Sequence, residues 1–431
     1  MRESVLTPRP TFLRGLSFVA AVALVVGNMV GTSVYLLPAT LAQAVGPLGI
    51  VAWILTAVGY GFVALVYARL AARSARSGGP YVYVREAFGD FAAFQTVWSY
   101  WISCVLGNAA IALAIVGYLA QLAPALQAST SSQFLLAETL LFGLTAVNVI
   151  GVRLSGRLQI AIVLLNVIPL VVVSLCAARA FDVRHWTPFA PHGWSSLPLG
   201  MAIVVWAFSG VESATVPAEE IAERRGTISR ATLTGYAVAT CVFLAVALAV
   251  SGAVENDTLA ASERPLALAM EIAVGPWAAN VLGVTAVIAG LGTLNGWILM
   301  AGRIPVSAAA DGLFFRAFSR LHPRWRTPHV ALGVAGALSG LLLLELLSKR
   351  LLQVFDFVLL LSVLTTLLPH LLAMAAQFAF ARREKRIGAA CTSAIAFAFV
   401  LLTIAGCGGA NLLWGLCVLA AGVPLYAWLR S

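Results

Sequence analysis

Two short runs interrupt long apolar stretches of this chain with glycine and small polar side chains. One reads Gly27-Asn28-Met29-Val30-Gly31-Thr32-Ser33, followed by Pro38; the other reads Trp206-Ala207-Phe208-Ser209-Gly210-Val211-Glu212-Ser213, followed by Pro217. A continuous membrane helix would favour Leu or Ile at these places, so both runs are read as breaks that divide a helix into halves. The first turn of a half-helix offers N–H donors and positive dipole character to an anion. The carbonyls that end the preceding half accept hydrogen bonds from an ammonium group. An α-amino acid carries both groups. The breaks therefore predict a carboxylate at Thr32 and Ser33 and an amine near the carbonyls of Met29, Trp206 and Ser209, without selecting a side chain.

Other candidate residues cluster around these breaks. Of 17 acidic residues, Glu212 alone falls near the middle of an apolar stretch, whereas Glu138, Glu345 and Asp356 fall near outer ends within reach of water or headgroups. A carboxylate at membrane depth is a functional feature by default; the alternative is a structural hydrogen bond that holds the break together. Tyr100, Cys104 and Asn108 stand at i, i+4 and i+8 and share one helical face. Packing accounts for the first two, but the carboxamide of Asn108 needs a hydrogen-bond partner. Trp206 and Trp297 both flank glycine-rich interruptions well inside apolar stretches, where an aromatic face attracts a cation. The histidines (His185, His192, His322, His329, His370) fall in loops or at the ends of apolar stretches. Neither a nucleophile–base pair nor a set of metal ligands emerges, so no enzyme, cofactor or metal is expected. The six cysteines lie within apolar stretches at spacings that suggest no disulfide framework and no metal site.

The elements that must position these residues follow from composition. Of the 431 residues 61% are apolar and 10% charged, against about 25% charged in an ordinary soluble domain. A cytosolic enzyme or a nucleic-acid binder is excluded on that ground. A membrane helix takes about 20 apolar residues, and the hydropathy pattern predicts twelve spans at roughly 16–44, 49–70, 92–120, 134–152, 158–178, 197–218, 231–253, 278–302, 329–347, 352–376, 389–408 and 411–429. The chain is thus read as one all-α membrane domain over 1–431. The breaks fall in the first and sixth spans, which predicts two inverted five-helix repeats, about 16–178 and 197–376, with extra helices at about 389–429. With the N-terminus in the cytoplasm, all but Arg179, Arg184, Arg264, Lys349 and Arg350 of the 27 basic residues lie on the inner side. The net charge of +10 then records orientation in a lipid bilayer, with both termini cytoplasmic.

The run from Gly27 to Ala39 resembles the first-span signature of the amino acid–polyamine–organocation transporters. Further runs are similar to the bacterial arginine/agmatine antiporters of that superfamily, nearly end to end. They are Gly78-Gly79-Pro80-Tyr81-Val82-Tyr83 with Phe88-Gly89, Tyr100-Trp101 followed by Gly107-Asn108, Trp206 through Ser213, Gly296-Trp297, and Ala310-Asp311-Gly312-Leu313-Phe314. The resemblance implies a leucine-transporter-like fold in a bacterial inner membrane, exchanging arginine for agmatine by alternating access, and allows a homodimer. It gives Cys104, Asn108 and Ser362 contacts to a guanidinium, Trp297 a stacking role, Trp206 a cap and Phe355 a place in the pocket wall. It also makes Tyr81 part of an intracellular gate and Glu212 a proton-sensitive element on the inward path. Departures from the pattern are Ser33 in place of the last glycine of the usual triplet, Ala207 for a hydroxyl residue, Ser209 for an aliphatic one and Asn295 for a glycine. Asn166 is neutral where some proton-coupled relatives carry lysine, which favours exchange over symport. Rival readings are a permease or exporter of other cationic or neutral amino acids, proton-coupled or not, and an ion channel. A channel would require a continuous polar lining or rings of charge.

Overall fold

In a computed structural model, described for residues 17–430 except 32, 75, 77, 124, 126–128, 151–155, 217, 219–220 and 222–223, the chain folds as α-helices joined by turns and short 3-10 segments. In chain order the helices are α1 (Phe18–Met29), α2 (Ser33–Val45), α3 (Gly49–Arg73), α4 (Pro80–Phe88), α5 (Asp90–Leu122), α6 (Thr130–Ile150), α7 (Gly156–Ala177) and α8 (Leu197–Phe208). They continue with α9 (Arg224–Ala253), α10 (Asn256–Ala260), α11 (Pro265–Ala273), α12 (Pro276–Ala310), α13 (His329–Leu343), α14 (Leu351–Arg383), α15 (Ile387–Gly406) and α16 (Gly409–Arg430). Ten apolar helical stretches among the described residues are long enough to cross a membrane; the first, Phe18–Arg73, holds α1, α2 and α3 together.

Helix α5 is the central post, buried along most of its length and packed chiefly against α12 and α14. The perimeter is apolar as well: Leu135 and Phe142 on α6, Leu164 and Leu175 on α7, and Leu413, Trp414 and Leu416 on α16 are all exposed. An exterior of this kind suits hydrocarbon rather than water. Small residues bring the inner helices close together. A Cβ at Gly59 of α3 would lie 2.1 Å from the Phe399 ring of α15, so only glycine lets these helices approach as they do.

Two expectations are corrected. Helix α12 runs unbroken through Gly296, so Trp297 does not flank an interruption as Trp206 does. His370 does not sit at a span end either, because α14 continues to Arg383, and His370 is 1% exposed in its interior. Hydropathy marks where apolar side chains stop, whereas a helix ends where its hydrogen bonds do. The basic residues Arg382 and Arg383 belong to the last turn of α14.

Candidate functional site

The first break lies where the residue pattern puts it. Helix α1 ends at Met29, Val30 leaves the helical region with ψ 72°, and α2 begins at Ser33. In an unbroken helix the Val30 carbonyl would accept the N–H of residue 34. Here the side-chain amide of Asn166 on α7 donates to it, and Asn166 Oδ1 accepts from the Tyr35 hydroxyl of α2 at 3.2 Å. One carboxamide thus ties both sides of the break. The sequence had recommended Asn166 only for its neutrality.

The second break follows α8. Gly210 has φ +105°, where a side chain is strained, and a Cβ there would lie 3.0 Å from Asn28 Cβ and 3.1 Å from the Asn28 carbonyl carbon. The two breaks therefore touch backbone to backbone. Asn28 joins them further: its Nδ2 donates to Ser213 Oγ at 2.9 Å, and its carbonyl accepts from Trp297 Nε1 at 3.4 Å. The Met29 and Trp206 carbonyls already accept from Gly31 and Ser209 N–H, but a carbonyl oxygen has two lone pairs and can take a second donor.

Beside this crossing lies a narrow cleft. Of the expected residues, Asn28, Gly31, Trp206, Ser209, Trp297 and Ser362 line it; Ser103, Gly107, Ile111, Thr293 and Thr366 join them. None of these side chains is charged. On α5 the lining stripe is 103/107/111, displaced by one residue from the expected 100/104/108. One residue turns the helix by about 100°. The clue available was Gly107 with Ser103 four residues before it, since small residues leave room that Tyr100 would fill. Tyr100 instead donates its hydroxyl to Glu212 Oε1, Cys104 is buried, and Asn108 Oδ1 is buried with no hydrogen-bond partner among the described residues. Phe355 meets Trp206 edge to face at 5.4 Å, behind the cleft wall. Met29 and Ala207 are buried without lining it. Thr32 lies outside the described residues, and Ser33 is described by its backbone alone. Asn295 accepts from Asn148 of α6 at 2.7 Å and does not line the cleft.

Glu212 stands apart from the cleft. It is 0% exposed, and its Oε2 lies 3.9 Å from His370 Nε2. Farther along, the turn at Gly78 and Gly79 starts α4; Gly79 has φ +58°, and the Gly78 N–H donates to the Val216 carbonyl at 3.2 Å. Helix α4 thereby sits against the end of the second broken stretch. The Tyr81 hydroxyl donates to Asp311 Oδ2 at 3.0 Å, and Arg85 Nη1 donates to the same oxygen at 2.6 Å. Burial, with the Asp311 carboxylate beside it, holds the Tyr81 phenol above the usual tyrosine range, so it stays a neutral donor. Asp311 caps the C-terminus of α12, and the latch fastens α4 to that end.

Comparison with known proteins places the chain in a family. A profile described as amino acid permease matches residues 16–426. The chain belongs to the amino acid permease family. It is 28% identical over 382 residues to a Bacillus subtilis protein with the provisional name arginine/ornithine antiporter, covering 81% of each chain. It is 28% identical to the putrescine transporter PotE of Haemophilus influenzae, over 93% of this chain and 94% of the other. It is 31% identical to the cadaverine/lysine antiporter of Escherichia coli K12, over 70% of this chain and 68% of the other. These relatives are transporters. The chain is a multi-pass membrane protein of an amino-acid and amine transport family.

Proposed function

We propose that the chain is a secondary antiporter that exchanges arginine for agmatine by alternating access. The observation that carries this reading is the uncharged cleft at the crossing of two broken helices, walled by Trp206 and Trp297. The start of α2 supplies N–H groups for the α-carboxylate, and the ends of α1 and α8 supply carbonyls for the α-amine. The distal cation meets indole faces and hydroxyls rather than a carboxylate. A guanidinium suits such a wall because it is planar, delocalised and weakly hydrated, whereas the ammonium of lysine or cadaverine is a compact, strongly hydrated charge. Ser362, which lines the cleft, is the proposed hydrogen-bonding contact of the distal end.

In this reading Phe18–Arg73 crosses the membrane twice, once as the broken pair α1 and α2 and once as α3. Helix α8 and the turns after it form another crossing, which makes twelve. Two inverted repeats, 16–178 and 197–376, place the breaks opposite each other, and the positive-inside bias sets both termini in the cytoplasm of a bacterium. The Tyr81–Asp311–Arg85 latch then closes the cytoplasmic end. Import of monocationic arginine against export of dicationic agmatine moves one positive charge outward per cycle. Beside a proton-consuming decarboxylase it would serve acid resistance.

The deciding test is uptake of labelled arginine into proteoliposomes preloaded with agmatine, arginine, lysine, cadaverine, neutral amino acids or nothing. Uptake driven by internal agmatine or arginine is expected. Equal uptake into empty vesicles would refute obligatory exchange, and exchange confined to lysine and cadaverine or to neutral amino acids would refute the substrate assignment.

A further inference from the structure

The titratable groups behind the cleft form an arrangement that substrate binding does not use. Glu212 and His370 are both fully buried and face each other, Oε2 to Nε2, at 3.9 Å. That separation is too long for a hydrogen bond. Neither facing atom has another hydrogen-bond partner among the described residues. The far side of each group is anchored instead. The Tyr100 hydroxyl of α5 donates to Glu212 Oε1, and the Tyr67 hydroxyl of α3 lies 2.6 Å from His370 Nδ1. Tyr60 of α3 sets its ring edge-on to the imidazole at 5.9 Å. The remaining titratable neighbours are Tyr83 of α4, near Tyr67, and Cys104 of α5, near Glu212; both groups are neutral when protonated. Among the described residues, His370 is the sole basic group within 4.0 Å of the Glu212 carboxylate.

We infer that Glu212 and His370 together form one proton-binding site. Charge counting supports this. A carboxylate beside a neutral imidazole leaves one uncompensated negative charge in a dry interior, which is costly. One added proton makes the pair neutral overall, whether it rests on the carboxyl group or forms an imidazolium facing a carboxylate. A second proton would leave an uncompensated positive charge. Burial therefore selects the singly protonated pair, and the proton belongs to both residues rather than to either one. The pair also bridges two structural bodies. Glu212 lies two residues beyond the Gly210 break, and His370 lies on the continuous α14. Opening the latched end would admit water between them, hydrate the carboxylate and release the proton to that water. The link to opening rests on the alternating-access reading above; the proton site itself does not.

The test uses the full chain in lipid nanodiscs without substrate. Infrared difference spectra between about pH 5 and pH 8, the window in which histidine chemistry operates, report the carboxyl C=O stretch and the imidazole ring bands separately. In the unaltered protein both sets should titrate with one shared midpoint. His370→Gln removes one of two proton acceptors, so with an evenly shared proton the carboxyl midpoint should fall by about 0.3 pH unit, roughly a twofold loss of proton affinity, and by more in proportion to the share His370 holds. Glu212→Gln should take the His370 imidazole out of the titration window. A His370→Gln protein whose carboxyl band titrates at the original midpoint would overturn the proposal. If His370→Gln fails to fold, an unaltered imidazole titration in Glu212→Gln overturns it equally. A shared titration in a protein that exchanges no arginine would sink the substrate reading and keep the proton site. Normal exchange with uncoupled titrations would do the reverse.

Discussion

Gly210→Ala is the sharpest perturbation of the crossing on which the site depends. Two separate costs meet at this residue. Its φ of +105° strains any side chain with a Cβ, for roughly 1–2 kcal/mol by comparison with other left-handed residues. The new methyl group would also lie 3.0–3.2 Å from the Cβ, carbonyl carbon and oxygen of Asn28. Backbone cannot swing aside as a flexible side chain can, so overpacking adds about 1–3 kcal/mol. The sum is about 2–5 kcal/mol, charged to conformations in which the two breaks touch. At 1.4 kcal/mol per tenfold, exchange through such a conformation should fall by at least about 30-fold. Gly408→Ala is the control. Gly408 has φ +82° between α15 and α16, but a Cβ there meets nothing within 4 Å. It incurs the strain alone, so a small loss of thermal stability and undiminished exchange are expected. The assay is proteoliposome exchange beside thermal unfolding of the same preparations. Gly210→Ala with unaltered exchange and stability, or with losses no larger than those of Gly408→Ala, would refute the contact between the breaks.

Further outcomes follow from the same geometry. Trp297→Leu keeps bulk but removes the ring face, so binding of guanidinium substrates should weaken by about 0.5–2 kcal/mol more than binding of neutral ones; equal losses in competition binding would make Trp297 a packing residue. Asn166→Leu strips the Val30 carbonyl of its side-chain donor, which should cost about 1–3 kcal/mol and lower both melting temperature and affinity. An unaltered melting curve and affinity would show that the break holds without it. Tyr81→Phe and Asp311→Asn each loosen the latch on α4. Mass spectrometry should then find buried Cys104 labelled several-fold faster by a membrane-impermeant thiol reagent applied to the latched side. Unaltered labelling would place the closure elsewhere.

Much of this molecule could be read from residue order, because its main determinants are local. An apolar run long enough to cross hydrocarbon must become a helix, since no other single segment satisfies its own backbone there. The glycine and small polar residues at 27–33 and 206–213 mark the two breaks for the same reason. What the chain order could not supply was which side chains meet. Periodicity says that a residue of α5 is buried, but not whether it faces the cleft or Glu212. The choice of the 103/107/111 stripe over 100/104/108 came from how α5 rotates between α12 and α14. Asn166 reaches Val30 across 136 residues of sequence, and His370 reaches Glu212 from a helix whose apolar run gave no sign of a partner. Asp311 looked like one letter of a motif until α4 folded against it. Local sequence determines which elements exist and where they break. Pairing between distant polar groups depends on the rotation and depth of whole helices, and those are decided only when all of them pack together.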